Sequence, residues 1–108
     1  MITRPDPICL GPILITDTIR SWIDENPGFA DQVQLMLKLY YEGDWGQVDE
    51  DDWQANIDTI RDPLPGGRLM GSYRLSNREI VWIITDGYAR YQEGLDCCYT
   101  TILSPDDY

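Results

Sequence analysis

Residues 79–85 read EIVWIIT, from Glu79 to Thr85, and this stretch decides how the chain is divided. Ile80 to Thr85 are all β-branched or aromatic, and the run holds no Gly or Pro. That composition predicts a strand apolar on both sides, suited to the middle of a sheet with both faces covered. Moving back from it, Ser76-Asn77-Arg78 reads as a turn. Before the turn, Leu69, Gly71, Tyr73 and Leu75 alternate with Met70, Ser72 and Arg74, the period of two expected of a strand. Moving forward, Asp86 to Asp96 reads as a loop or ragged hairpin carrying Gly87, Tyr88, Tyr91 and Gly94. Cys97–Leu103, CCYTTIL, reads as a third strand, and Ser104 to Tyr108 as a tail. The expectation for residues 68–103 is therefore a three-stranded antiparallel β-meander.

Upstream the period changes. Asp62-Pro63-Leu64-Pro65-Gly66-Gly67 marks the boundary between the two kinds of pattern. Trp53, Ile57 and Ile60 recur at helical spacing behind an Asp49 cap, with Glu50, Asp51 and Asp52 in the first turn, where carboxylates suit the positive helix end. A second helix is expected from Asn26-Pro27, cap and first helical position, to about Glu42, stopped by Gly43. Its apolar stripe is Phe29, Val33, Leu37 or Met36, and Tyr40, widened by Leu35 and Leu39. A third and shorter helix, capped by Thr16 or Thr18, carries Ile19, Trp22 and Ile23 on one face. Residues 1–15 hold three prolines and a glycine and read as an irregular arm, with Ile13 to Ile15 able to dock on the core. The fold expected is α+β: about three N-terminal helices (16–62) packed on the meander (68–103), in one domain spanning 1–108.

Composition narrows the function. The chain has 108 residues, 19 acids, 8 bases and no histidine, for a net charge of −11. Residues 1–62 carry 13 of those acids and 4 bases, so the acid belongs to the front of the chain. Such charge opposes direct binding to nucleic acid or an anionic membrane and favours a basic partner. Without histidine there is no Ser-His-Asp or Cys-His machinery and no imidazole metal ligand. Cys9, Cys97 and Cys98 match neither a redox nor a zinc spacing and read as buried, reduced thiols. No signal-peptide pattern or transmembrane run is present, and a cytoplasmic location is expected.

The acids concentrate in Tyr40–Trp53, YYEGDWGQVDEDDW, which contains Glu42, Asp44, Asp49, Glu50, Asp51 and Asp52 and no base. Read as an EF-hand the segment fails: from Asp44 the third and fifth positions are Gly46 and Val48, and from Asp49 the third is Asp51 but the fifth is Trp53. No carboxylate pair is singled out for glycoside chemistry. On a helical wheel Asp58 and Asp62 fall within about 20° of Asp51, giving a row of acids displaced by about 1.5 Å per residue along one helix face. This face reads either as a solvated surface or as a partner-binding surface fitted to a Lys/Arg groove made for phosphates. Trp45, in the turn beside it, reads either as an exposed anchor or as a lid on the core.

Four segments together, GDWG (43–46), DDWQAN (51–56), VWIIT (81–85) and YTTILSPDDY (99–108), resemble a family of small acidic proteins of plasmids, conjugative elements and phages. The resemblance spans roughly residues 18–108 and carries no activity onto individual residues. It implies a mobile-element setting, in which small acidic proteins resemble anti-CRISPR and anti-restriction factors. The function expected is thus non-enzymatic and cofactor-free: inhibition of a bacterial nuclease complex by an acidic surface made of Glu42, Asp44, Trp45, Asp49, Glu50, Asp51, Asp52, Asp58 and Asp62. The alternatives are an antitoxin-like module with a small basic partner and an enzyme that works through carboxylates and a divalent ion.

Overall fold

The computed structural model describes residues 11–61, 67–88 and 99–108. In chain order the elements are strand β1 (Ile13–Ile15), helices α1 (Asp17–Glu25), α2 (Gly28–Tyr41) and α3 (Glu50–Arg61), strands β2 (Gly67–Arg74), β3 (Ile80–Tyr88) and β4 (Tyr99–Leu103), and a 3-10 turn, Pro105–Asp107. The α+β class holds, but the expected three-stranded antiparallel meander does not. The sheet has four strands in the order β1-β4-β3-β2, and β1 lies parallel to β4. The irregular arm expected over 1–15 ends in a true strand, with Ile13 opposite Thr100 and Ile15 opposite Ile102. Nor are the helical elements confined to the front of the chain, because a strand precedes them and the 3-10 turn follows the sheet. The physical reason is sequence distance. A three-residue ILI segment has no periodicity of its own, and its partner lies more than eighty residues away.

The helix ends follow from local chemistry. α2 starts one residue later than expected, with Pro27 as its N-cap, and the Asn26 side chain accepts from the Gly28 amide at 3.2 Å in the turn that leads into it. At its other end the Gly43 amide donates to the Tyr40 carbonyl and the Asp44 amide to the Leu39 carbonyl. With Gly43 at φ +89°, this is a Schellman stop. Asp49 caps α3, accepting from the Asp52 amide at 2.8 Å.

The expected helical stripe proves to be the core. Phe29, Val33, Met36 and Tyr40 are buried on α2, packed with Ile19, Leu69, Tyr73, Val81, Ile83 and Ile102. Each such aliphatic or Phe side chain contributes about 1.5–3 kcal/mol of burial. Met36, not Leu37, fills the inner position, and Leu35 is 56% exposed. Within the core a hydroxyl chain links three elements: Tyr40 shares a hydrogen bond with Thr85 at 2.7 Å, and Thr85 shares another with Thr100 at 2.8 Å. β3 is covered on both faces as expected, since Val81 and Ile83 meet the helices while Ile84, on the alternate face, is buried too.

That alternate face is closed in part by the end of the chain. Tyr108 packs edge-on against Trp82 with ring centroids 5.8 Å apart, and Arg68 lies over the Tyr108 ring and pairs with Asp86. Asp107 binds the start of α1. Its carboxylate accepts from the Thr16 and Thr18 hydroxyls, both at 2.7 Å, and from the Ser104 amide at 3.0 Å. These bonds hold the Asp107 carboxyl below its usual range, the Thr18 hydroxyl contributing most. A carboxylate that titrates lower when folded stabilises fully above its unfolded pKa of about 3.9 and loses that stabilisation as pH falls through the folded value. Asp107→Asn is therefore expected to lower the urea midpoint at neutral pH. The gap from the parent should close as pH drops below about 4. A gap of constant size from pH 7 to pH 2 would mean that the charge on Asp107 plays no part.

Candidate acidic partner-binding surface

The segment Asp44-Trp45-Gly46-Gln47 sits against the outer edge of β2. The Ser72 amide donates to the Trp45 carbonyl at 3.0 Å, and the Gln47 amide donates to the Ser72 carbonyl at 2.7 Å, forming a one-residue parallel bridge. The Tyr73 hydroxyl donates to the Asp44 carbonyl at 2.8 Å. Burial of the Tyr73 phenol pushes its pKa well above the ordinary range, keeping it a donor. Gly46 is required here. Its φ is +71°, and a Cβ would lie 2.1 Å from the Ser72 carbonyl oxygen.

Two residues further in towards β2's start, α3 performs the same task with a side chain. The Asn56 amide group donates to the Met70 carbonyl at 2.7 Å, and its oxygen accepts from the Met70 amide at 3.0 Å. Asn56 thus imitates a strand, satisfying both outward peptide groups of Met70 while only 2% exposed. Trp53, one turn earlier, meets Trp45 edge-on at 5.1 Å. Asn56 and the Trp pair fasten α3 to β2 on its inner side. Sequence reading missed Asn56, although a signal existed: it is a polar residue at a position that shares the face of Trp53 and Ile60.

The acids lie on the outside of this arrangement. Glu42, Asp44, Asp49, Glu50, Asp51, Asp52 and Asp58 are all exposed. Glu42 caps the end of α2, while Asp44 accepts from the Gly46 amide at 3.1 Å and so shapes the turn. Asp58 accepts from the Gln54 side chain at 3.0 Å. Among the described residues none of the seven is in an ion pair; the pair seen is Arg68 with Asp86 at 2.8 Å. Asp51 and Asp58 fall on one face of α3, displaced by about 10 Å along its axis. Asp49 to Asp52 also have a folding role, since they stand at the positive end of the α3 dipole. Asp62 lies outside the described residues, as do Cys9, Cys97 and Cys98.

Trp45 takes its place as a lid on the core. It is 4% exposed, and its buried indole N–H has no hydrogen-bond partner among the described residues. It is not available as a surface anchor, and the exposed part of the turn is Asp44 and Gln47. Beside the turn an open groove of about 350 Å³ runs between α2 and β2, lined by Leu35, Met36, Leu39, Gln47, Tyr73 and Arg74 among others, with Asp44 as its one carboxylate. Among the described residues no three His, Cys, Asp or Glu side chains are placed to hold a metal ion. No described helix is long and apolar enough to cross a membrane.

Fold and surface together define a helix-covered, four-stranded mixed sheet with an acidic helix on its β2 side. Beyond that class, no protein-family model, curated protein or solved structure matches the chain.

Proposed function

We propose that this protein is a non-enzymatic inhibitor that presents the acids of α3 and the adjoining turn to a basic, nucleic-acid-binding groove of a bacterial defence nuclease, in the manner of an anti-CRISPR protein. The observation that carries the reading is that Asp51 and Asp58 stand exposed, and among the described residues without ion pairs, on a helix whose opposite side is fastened to the sheet by Asn56 and Trp53. Carboxylates held on a fixed frame lose little conformational freedom on binding and steer a cationic partner from a distance. Glu42, Asp44, Asp49, Glu50 and Asp52 extend the surface. The net charge of −11 and the absence of histidine fit an interaction protein better than a hydrolase. The resemblance to small acidic mobile-element proteins supplies the class of partner.

The test is binding to purified CRISPR effector complexes, with and without guide RNA, across a salt series. Reversal of Asp51 and Asp58 to Lys is expected to weaken binding by about tenfold or more, mainly through a slower association that also loses its salt dependence. Binding that ignores both reversals would remove the acidic face from the interface. Capture of a small basic protein from the native host, with no effector binding, would favour the antitoxin-like alternative.

A further inference from the structure

The two edges of the sheet are treated differently. On β2 the outward peptide groups of Met70 and Ser72 are occupied by Asn56 and by the Trp45–Gln47 turn. On β1 nothing comparable is present among the described residues. The Thr100 amide donates to the Pro12 carbonyl, and the Thr16 amide donates to the Ile102 carbonyl. These two bonds fix the phase of the parallel ladder: residues 12, 14 and 16 face β4, so the amides and carbonyls of Ile13 and Ile15 point away from the sheet. Proline guards an edge when its missing donor lies on the open side. Pro12 faces inward, so it does not guard this one.

The side chains are equally open. Ile13, Leu14 and Ile15 are 44%, 53% and 44% exposed, and Tyr99 beside them on β4 is 45% exposed. Residues 11–16, GPILIT, carry no charge in a chain whose net charge is −11.

We infer that β1 pairs with β1 of a second copy, antiparallel about a two-fold axis at Leu14, so that two four-stranded sheets join into one of eight strands. Three features select a second copy. A strand of three residues with outward groups on the first and third is self-complementary: Ile13 of one copy exchanges both bonds with Ile15 of the other, and the reverse, leaving no outward group unpaired. Leu14 then meets Leu14 in the close, non-hydrogen-bonded position. Electrostatically, two molecules of −11 approach best through neutral surface; Asp17, the acid nearest in the sequence, comes opposite the uncharged Gly11 of the other copy, and the Asp107 carboxylate is held by the Thr16 and Thr18 hydroxyls. So short a contact buries far less than the roughly 1,000 Å² of a stable interface, so the dimer is weak and concentration-dependent.

Sedimentation velocity from micromolar to millimolar protein tests this. The parent is expected to pass from monomer to dimer. Leu14→Lys and Leu14→Glu should each raise the dissociation constant by about tenfold or more, because like charges would face each other at the axis. An equimolar mixture of the two variants should recover the dimer, with Lys opposite Glu. Thermal melts that match the parent show that each variant folds, as expected where Leu14 is already exposed. A parent that stays monomeric throughout, or a dimer that Leu14→Lys leaves intact, overturns the inference. So does a mixture no more dimeric than its components.

Discussion

Gly46→Ala is expected to cost about 3–5 kcal/mol, a large share of the 5–15 kcal/mol that holds a domain together. Two penalties add. A left-handed backbone costs a residue with a Cβ about 1–2 kcal/mol. The new Cβ would also stand 2.1 Å from the Ser72 carbonyl oxygen and 2.8 Å from the Tyr73 ring. The oxygen is backbone in a paired strand and cannot swing aside, so the turn must lift away from β2. Lifting breaks the Ser72-to-Trp45 and Gln47-to-Ser72 bonds, at about 1 kcal/mol each, and disturbs the contact between Trp45 and Trp53. Thermal unfolding should fall by roughly 12–30 °C, at about 4–6 °C per kcal/mol for a domain of this size. Gly43→Ala is the control. Gly43 also has a positive φ, yet nothing lies within 4 Å of the point a Cβ would occupy there, so only the conformational cost of about 1–2 kcal/mol applies. Should the two variants melt alike, the bridge to Ser72 is not what orders this turn.

Asn56→Ala should be nearly as severe, at about 2–4 kcal/mol, because it strips the partners from two part-buried peptide groups of Met70 at once. Leu in place of Asn56 restores apolar volume but not the bonds, and it is expected to rescue little. Asn56→Asp separates the two halves of the interaction. An aspartate still accepts from the Met70 amide, but it sets a negative oxygen against the Met70 carbonyl. Burial and that repulsion raise its folded pKa above the unfolded value near 3.9. The raised pKa makes the variant least stable at neutral pH, and stability returns as the solution is acidified and the carboxyl regains a donor proton. Urea titrations at pH 7 and pH 4.5 would show the gap between Asn56→Asp and parent narrowing at the lower pH. An Asn56→Asp variant that loses as much at both pH values as Asn56→Ala would mean that the Met70 carbonyl gains nothing from a donor here. Loosening α3 also frees the row of acids, so Asn56→Ala should weaken the proposed binding to an effector complex in the same salt series, even though it touches no exposed charge.

How far the sequence could be read differs by element. EIVWIIT announced a strand covered on both faces, and β3 is one, because six consecutive β-branched or aromatic residues leave neither side fit for water. Phe29, Val33 and Tyr40 marked the inner face of α2, and Gly43 marked its stop, since period and cap chemistry are decided within a few residues. Exposure of the acids was also legible, because a carboxylate without a partner stays in water. Trp45 was not legible: an indole among charges reads either way until Trp53 and the β2 edge are in place. Asn56 looked like an interruption of a stripe, and only the outward peptide groups of Met70 give it a purpose. Asp107 looked like part of a tail until it met Thr16 and Thr18, some ninety residues earlier.

By itself, then, the sequence determined the three helices, the strands β2, β3 and β4, the stop of α2 and the side of the chain that bears the charge, all properties set by neighbours a turn or two away. Tertiary structure alone decided that Ile13–Ile15 joins the sheet parallel to Tyr99–Leu103, that Trp45 faces inward and that Asn56 closes an edge. Each of these depends on which unpaired backbone group or open surface a distant segment happens to offer, and no local pattern records that.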